Sequence, residues 1–350
     1  MEKLTCRICG HKSKNLYRHI CDEHGGKDGA KEYRDEFGLD AIVHPDLQQK
    51  VTGAKAKFFG KEYAIVKTDH TSMIPKMDKN YIFQSFTEDV LLDLTEDGCP
   101  PVMLTGHAGT GKSSLFMQIA ARLDQPCLRV NMNGQTTISD FVGMWTVVGG
   151  ETVWVDGALP FAMKSGVWLI IDELDFAEPA ILSVLNSVLE IGGSLTLKEK
   201  GGEIILPHKN FRICSTTNTA GCMSGFRHMY QGTNLLNDAF LDRFRIYVVG
   251  FLDATNETEL LKKSTTGMTD RFATKIVEVA NACRESFERE DLSFCFSTRR
   301  LLDWSALLVR HAPRYRNEAP MKSAEVSIYS KISKEDRVVV EGIIQRILRT

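Results

Sequence analysis

The 350-residue chain has no stretch of 18 apolar residues, so no transmembrane helix is expected. It has almost no net charge. Its 43 lysines and arginines stand against 45 aspartates and glutamates, a balance of −2, so no field of one sign draws the whole molecule onto nucleic acid. The opening residues, MEKLTCRICG, lack the apolar core of a signal peptide. There is no internal repeat and no long low-complexity tract. The nine cysteines are an odd count, mostly scattered through apolar runs such as FRICSTTN. A disulfide framework is therefore not expected, and reduced thiols in the cytoplasm are. What is present is ordinary globular material, 43% hydrophobic and long enough for two or three domains.

Four stretches follow one another. Residues 1–40 form a small unit bearing cysteine and histidine, and 41–72 a connector. From about 73 to 252, apolar runs alternate with helical patterns, which predicts an α/β domain with a mainly parallel sheet. PVMLTG, LRVNM, VWLIID, FRICSTTN and FRIYVV read as its strands, and SSLFMQIAARL as a helix. Residues 253–350 lose the strand signal and read as helices.

The run GHAGTGKSSLF fits G-x-x-x-x-G-K-[ST], with a strand before it and a helix after it. Gly106, His107, Ala108, Gly109, Thr110, Gly111, Lys112, Ser113 and Ser114 are the expected cradle. Glycines let backbone N–H groups approach phosphate, and the helix start turns its positive end toward it. Lys112 is expected on the β/γ-phosphates of ATP and Ser113 on Mg²⁺. VWLIIDELD then ends a buried strand in two carboxylates. Asp172 would hold Mg²⁺ through its water shell and Glu173 would polarise the attacking water, while Asp175 is either functional or structural. CSTTN ends the next strand in Asn218, near the γ-phosphate. Arg243 stands on a polar turn, where it can meet an acidic group of its own subunit or a neighbour's γ-phosphate. Ser297 or Thr298 would cap a helix whose first turn carries Arg299. A cation there opposes the helix dipole, which favours phosphate binding.

This ordered set resembles the AAA+ ATPases, with Walker A, Walker B, sensor 1, arginine finger and sensor 2. Within them, IIDELDFAEPAILSVLNSVLE and YQGTNLLNDAFLDRF are similar to the MoxR branch and most of all to CobS-like proteins. The likeness spans about residues 73–310. It implies Mg²⁺-ATP hydrolysis between the subunits of a ring, commonly a hexamer, and a partner with a von Willebrand A-like metal-ion-dependent adhesion domain. It also implies that two further stretches lie on the ring face or at the pore. These are residues 140–166, which read as a hairpin carrying Trp145 and Trp154, and residues 194–211, a hairpin turning at Gly201–Gly202. The tryptophans either pack on the core or touch a partner.

Near the start, CRICGHKSKNLYRHICDEH offers Cys6, Cys9, His19 and His24 as tetrahedral Zn²⁺ ligands, with Cys21 as a competitor. The middle spacing is shorter than in the usual two-Cys/two-His finger. Residues 4–40 resemble the Ros/MucR zinc finger of bacterial regulators, which bind DNA. Lys3, Arg7, Lys12, Lys14 and Arg18 make a basic patch able to meet phosphates, and small fingers also dock proteins. Three functions remain open: a ring ATPase that remodels a protein partner, a DNA-associated motor recruited by the finger, and a metal-chelatase ATPase subunit. The fused finger argues against the last.

Overall fold

A computed structural model of the chain describes residues 4–6, 12–13, 55–65, 69–96, 98, 100–220, 230 and 232–348. The chain divides into two compact units, 1–69 and 70–350. In the first, strands β1 (Leu4–Thr5) and β2 (Lys12–Ser13) pair antiparallel, and so do β3 (Lys55–Phe58) and β4 (Lys61–Ala64). The stretch read as a connector thus contains a β-hairpin. Ala56 and Phe58 alternate inward from β3 between exposed lysines.

The second unit opens with helix α1 (Thr87–Thr95). Its sheet has five parallel strands: β5 (Val102–Thr105), β6 (Cys127–Asn131), β9 (Trp168–Asp172), β12 (Ile213–Thr217) and β13 (Arg245–Val248). Their order across the sheet is β13-β5-β12-β9-β6. The three central strands are buried at every position. That explains why β5 and β9 read as near-continuous apolar runs and not alternations, since layers cover both faces, whereas β12 ends in three buried hydroxyl residues, Ser215, Thr216 and Thr217. Helix α2 (Lys112–Arg122) buries Leu115, Phe116 and Ile119. Because all five strands run the same way, the chemistry-bearing residues that follow β5, β9 and β12 gather at one edge.

Between β6 and β9 lie helix α3 (Ile138–Val142), a hairpin of β7 (Gly143–Val148) and β8 (Glu151–Asp156), and helix α4 (Ala158–Ser165). The hairpin expected over 140–166 is therefore confined to 143–156. Thr137 and Asp140 form a capping box that starts α3, and the chain turns helical again after Gly157. Helix α5 (Pro179–Leu189) follows β9. The second hairpin, β10 (Leu195–Leu197) with β11 (Glu203–Ile205), turns through Gly201 and Gly202 as expected. A short helix α6 (Asp238–Leu241) precedes β13.

The remainder is helical: α7 (Ala254–Ser264), α8 (Asp270–Glu288), α9 (Thr298–Tyr315), α10 (Ala319–Ser327) and α11 (Lys334–Leu348). These helices close around their own core, which includes Phe296, Trp304, Ile276 and Ile344. Ser297 is the N-cap of α9 and accepts from the Arg300 N–H at 3.2 Å.

Candidate nucleotide site

The loop between β5 and α2 is shaped by two close approaches. A side chain at Gly106 would stand 2.2 Å from the Val249 carbonyl oxygen. One at Gly109 would stand 2.6 Å from Ser297 Cβ, and its φ of +78° is itself a glycine conformation. The loop is thus pinned between β13 on one side and the lid helix α9 on the other. Lys112 turns back into it. Its ammonium donates to the Gly106 carbonyl at 2.7 Å, the His107 carbonyl at 2.9 Å and Asn218 Oδ1 at 2.9 Å. Burial lowers its pKa to about 8, against the raising effect of Asp172, Asp175 and Glu173. Thr110 ties its hydroxyl to the His107 carbonyl. The Ala108 N–H donates to the Tyr230 hydroxyl at 3.2 Å, which also meets His107 Nδ1 at 3.2 Å. The His107 ring stands edge-on to Phe287, a residue of α8.

Asp172 ends β9 and is buried. Its Oδ1 accepts the Ser113 hydroxyl at 2.5 Å and the Thr216 hydroxyl. Its Oδ2 accepts Arg129 Nε at 2.9 Å and Arg129 Nη2. Burial pushes this carboxyl up, but the two hydroxyls and the guanidinium outweigh it and hold the pKa below the ordinary carboxylate value. A serine hydroxyl against a buried, ionised carboxylate is a hard-oxygen pair of the kind Mg²⁺ takes. Glu173 follows in the left-handed region, φ 57° and ψ 47°, with its N–H on Thr216 Oγ1 at 3.1 Å. This conformation costs a non-glycine residue about 1–3 kcal/mol, and among the described residues Phe59, Asp124, Glu290 and Arg316 also have positive φ. The Glu173 pKa is raised by burial first and then by Asp172 and Asp175. Asp175 is fully buried. Its Oδ2 accepts the Asn218 N–H at 3.0 Å and the Thr219 hydroxyl at 2.8 Å. It therefore sets the position of Asn218.

Beside the loop lies a cavity of about 340 Å³. Gly109, Gly111 and Ser114 line it from the loop, Tyr81 and Ile82 from the segment ahead of α1, and Arg299 from α9. Arg299 is exposed and faces this space, so the lid brings a cation toward the loop. Sequence reasoning missed the role of residues 78–84. The only signal was the aromatic and apolar run YIF. It missed Arg129 too, an arginine inside a strand with nothing nearby in sequence to pair with it. A third omission holds the lid together. Glu257, fully buried, takes Arg284 through Nη1 and Nη2 at 2.7 and 2.8 Å, and Thr298 at 2.8 Å.

Arg243 joins neither Lys112 nor Asp172. Its guanidinium pairs with Glu190 at 2.6 Å through Nη2 and reaches the Ala239 carbonyl. Trp145 is half exposed and donates to the Glu199 carbonyl at 2.9 Å, which ties the first hairpin to the second. Trp154 packs on the core. Of the expected zinc ligands, Cys6 is buried, and Cys9, His19 and His24 lie outside the described residues. No helix among the described residues is long and apolar enough to cross a membrane.

Residues 101–244 match the AAA domain of the dynein-related subfamily, and 257–348 the CbbQ/NirQ/NorQ C-terminal family. Over 242 residues the chain is 34% identical to the aerobic cobaltochelatase subunit CobS of a Sinorhizobium species, which covers 66% of this chain and 72% of that one. It is 25% identical to gas vesicle ATPase GvpN1 of Halobacterium salinarum, over 76% of each chain. A 159-residue stretch is 33% identical to midasin of Giardia intestinalis, covering 45% of this chain and 3% of midasin. The two domain matches follow each other in the order in which the sheet and its helical lid are built, and the CobS match covers about two thirds of the chain. The chain thus belongs to the MoxR-type AAA+ ATPases, in the family of CobS, and is an ATP hydrolase.

Proposed function

We propose that this ATPase works as a Mg²⁺-dependent ring, most simply a hexamer, that couples hydrolysis to the remodelling of a partner protein. The observation that carries the reading is the Lys112 ammonium, held between two loop carbonyls and Asn218 at the same strand edge as Asp172 and Glu173. An incoming triphosphate offers that ammonium stronger, charged acceptors than the carbonyls it now holds. Ser113 and Asp172 hold the metal, which when bound neutralises charge on the β- and γ-phosphates. Glu173, with its raised pKa, is the group that orients the attacking water and accepts hydrogen bonds from it. Asn218 is freed from Lys112 to meet the γ-phosphate. The nucleoside occupies the 340 Å³ cavity, and Arg299 reaches the phosphates from the lid. Arg243 acts on a neighbouring subunit and exchanges Glu190 for that subunit's γ-phosphate. The domain division proposed is 1–40, 41–72, 73–252 and 253–350.

The partner class proposed is a protein with a von Willebrand A-like domain. Identity to CobS supports a second reading, the ATPase subunit of a metal chelatase. Cys6, Cys9, His19 and His24 are the proposed Zn²⁺ ligands, in a unit that docks either DNA or protein. A pull-down with Glu173→Gln protein tests the main reading. This variant should bind ATP, fail to hydrolyse it and retain the partner. Hydrolysis by the variant at the parent rate would show that Glu173 does not position the water.

A further inference from the structure

Arg129 is the one cation within hydrogen-bond reach of Asp172 among the described residues. It sits in the edge strand β6, opposite Ile170, and the register partner of Asp172 is Asn131. Nevertheless it is Arg129, half exposed, that reaches along the strand end. It sets both Nε and Nη2 on Asp172 Oδ2. Ser113 and Thr216 hold Oδ1. An ionised carboxylate has about four lone-pair sites. All four are taken, so Asp172 has no acceptor left for the water shell of a metal.

One donor has to leave when Mg²⁺-nucleotide enters. Thr216 comes from the central strand β12 and is buried, and Ser113 is fixed by the start of α2. A serine hydroxyl can donate to Asp172 while its oxygen faces a metal. Arg129 is solvent-accessible, rests on a flexible stem and carries a positive charge that a dication repels. We propose that Arg129 is a positioning residue that holds Asp172 Oδ2 in the nucleotide-free protein and gives it up to the hydrated metal. It sets the Mg²⁺ concentration at which nucleotide binding becomes metal-assisted. In the empty site it keeps a buried carboxylate aimed, and in the filled site it yields. The inference rests on the assignment of Ser113 and Asp172 to Mg²⁺.

The test uses the full chain and a fluorescent ADP analogue at fixed concentration, with Mg²⁺ raised from a chelator-buffered zero. The wild-type midpoint is compared with those of Arg129→Ala and Arg129→Lys, and each metal-free protein is melted. Loss of the competing cation should lower the Mg²⁺ midpoint of Arg129→Ala by about tenfold, the scale of one charge-assisted contact. The melting temperature of the metal-free protein should fall at the same time. Arg129→Lys keeps the charge but not the fork and should lie between. A lower melting temperature with an unmoved or raised midpoint would make Arg129 structural only and overturn the proposal. If Arg129→Ala does not fold, a lysine variant with the wild-type midpoint overturns it instead. If the wild-type protein shows no Mg²⁺ dependence at all, the metal assignment fails first, and that outcome is distinct from the other two.

Discussion

Lys112 is pulled two ways. Burial favours its neutral form and three nearby carboxylates favour the charged one, and the resulting pKa of about 8 leaves it mostly an ammonium at neutral pH. Lys112→Ala should therefore remove the cation that the phosphates need. It should weaken ATP binding by about 100-fold or more, the scale of two charge-assisted contacts. Equilibrium dialysis would settle it, and an unchanged dissociation constant would refute the role. His208 is a different case. Its Nδ1 accepts the Asn210 N–H at 3.1 Å, and burial holds its pKa below the ordinary 6.5. A histidine buried neutral binds its proton more weakly folded than unfolded. Its contribution to stability is present above pH 6.5 and is lost as the pH falls below that value. His208→Asn can place an amide oxygen near the Nδ1 position and cannot titrate. Melting curves from pH 7.5 to 5.5 should show a shallower acid-side decline for the variant. A parallel decline would put the loss elsewhere.

At the scale of elements, the lid turns on one buried pair. Arg284 spans Glu257 with two nitrogens, gives its Nε to the Phe296 carbonyl at 2.9 Å and lies 3.9 Å over the Phe251 ring. Removing one partner strands a charge that has no water. Arg284→Met should cost about 3–5 kcal/mol in urea unfolding, and adding Glu257→Leu should recover much of it. A cost under about 1 kcal/mol would mean that water reaches Glu257. The central strands β5 and β9 were legible in the sequence because burial on both faces leaves an almost uninterrupted apolar run. The phosphate loop and the carboxylates at its side were legible because their spacing is local. Asp175 was not, since its function depends on where Asn218 and Thr219 come to lie in the fold. The cavity wall at Tyr81, the Arg129–Asp172 contact and the Glu257–Arg284 pair join segments far apart in sequence. No local pattern announces such contacts. The first hairpin was read too long because the helices on either side of it are short.

For the whole molecule, residues 70–350 form a compact unit by themselves. A fragment starting at His70 should fold and bind ATP as the full chain does. Circular dichroism melting and nucleotide titration would check this, and an unfolded fragment would mean that residues 1–69 complete the core. Mixing Arg243→Ala with Glu173→Gln protein should recover part of the activity, because some sites would pair an intact Glu173 with an intact Arg243. Mixed rings that form but stay inactive would count against action between subunits. The approach of Gly109 to Ser297 has a mechanical side as well. A methyl group at Gly109 would stand 2.6 Å from Ser297 Cβ, so it could be fitted only by moving the N-cap of α9 off the loop. The spacing between the phosphate loop and the lid is thus set by the absence of a single methyl group.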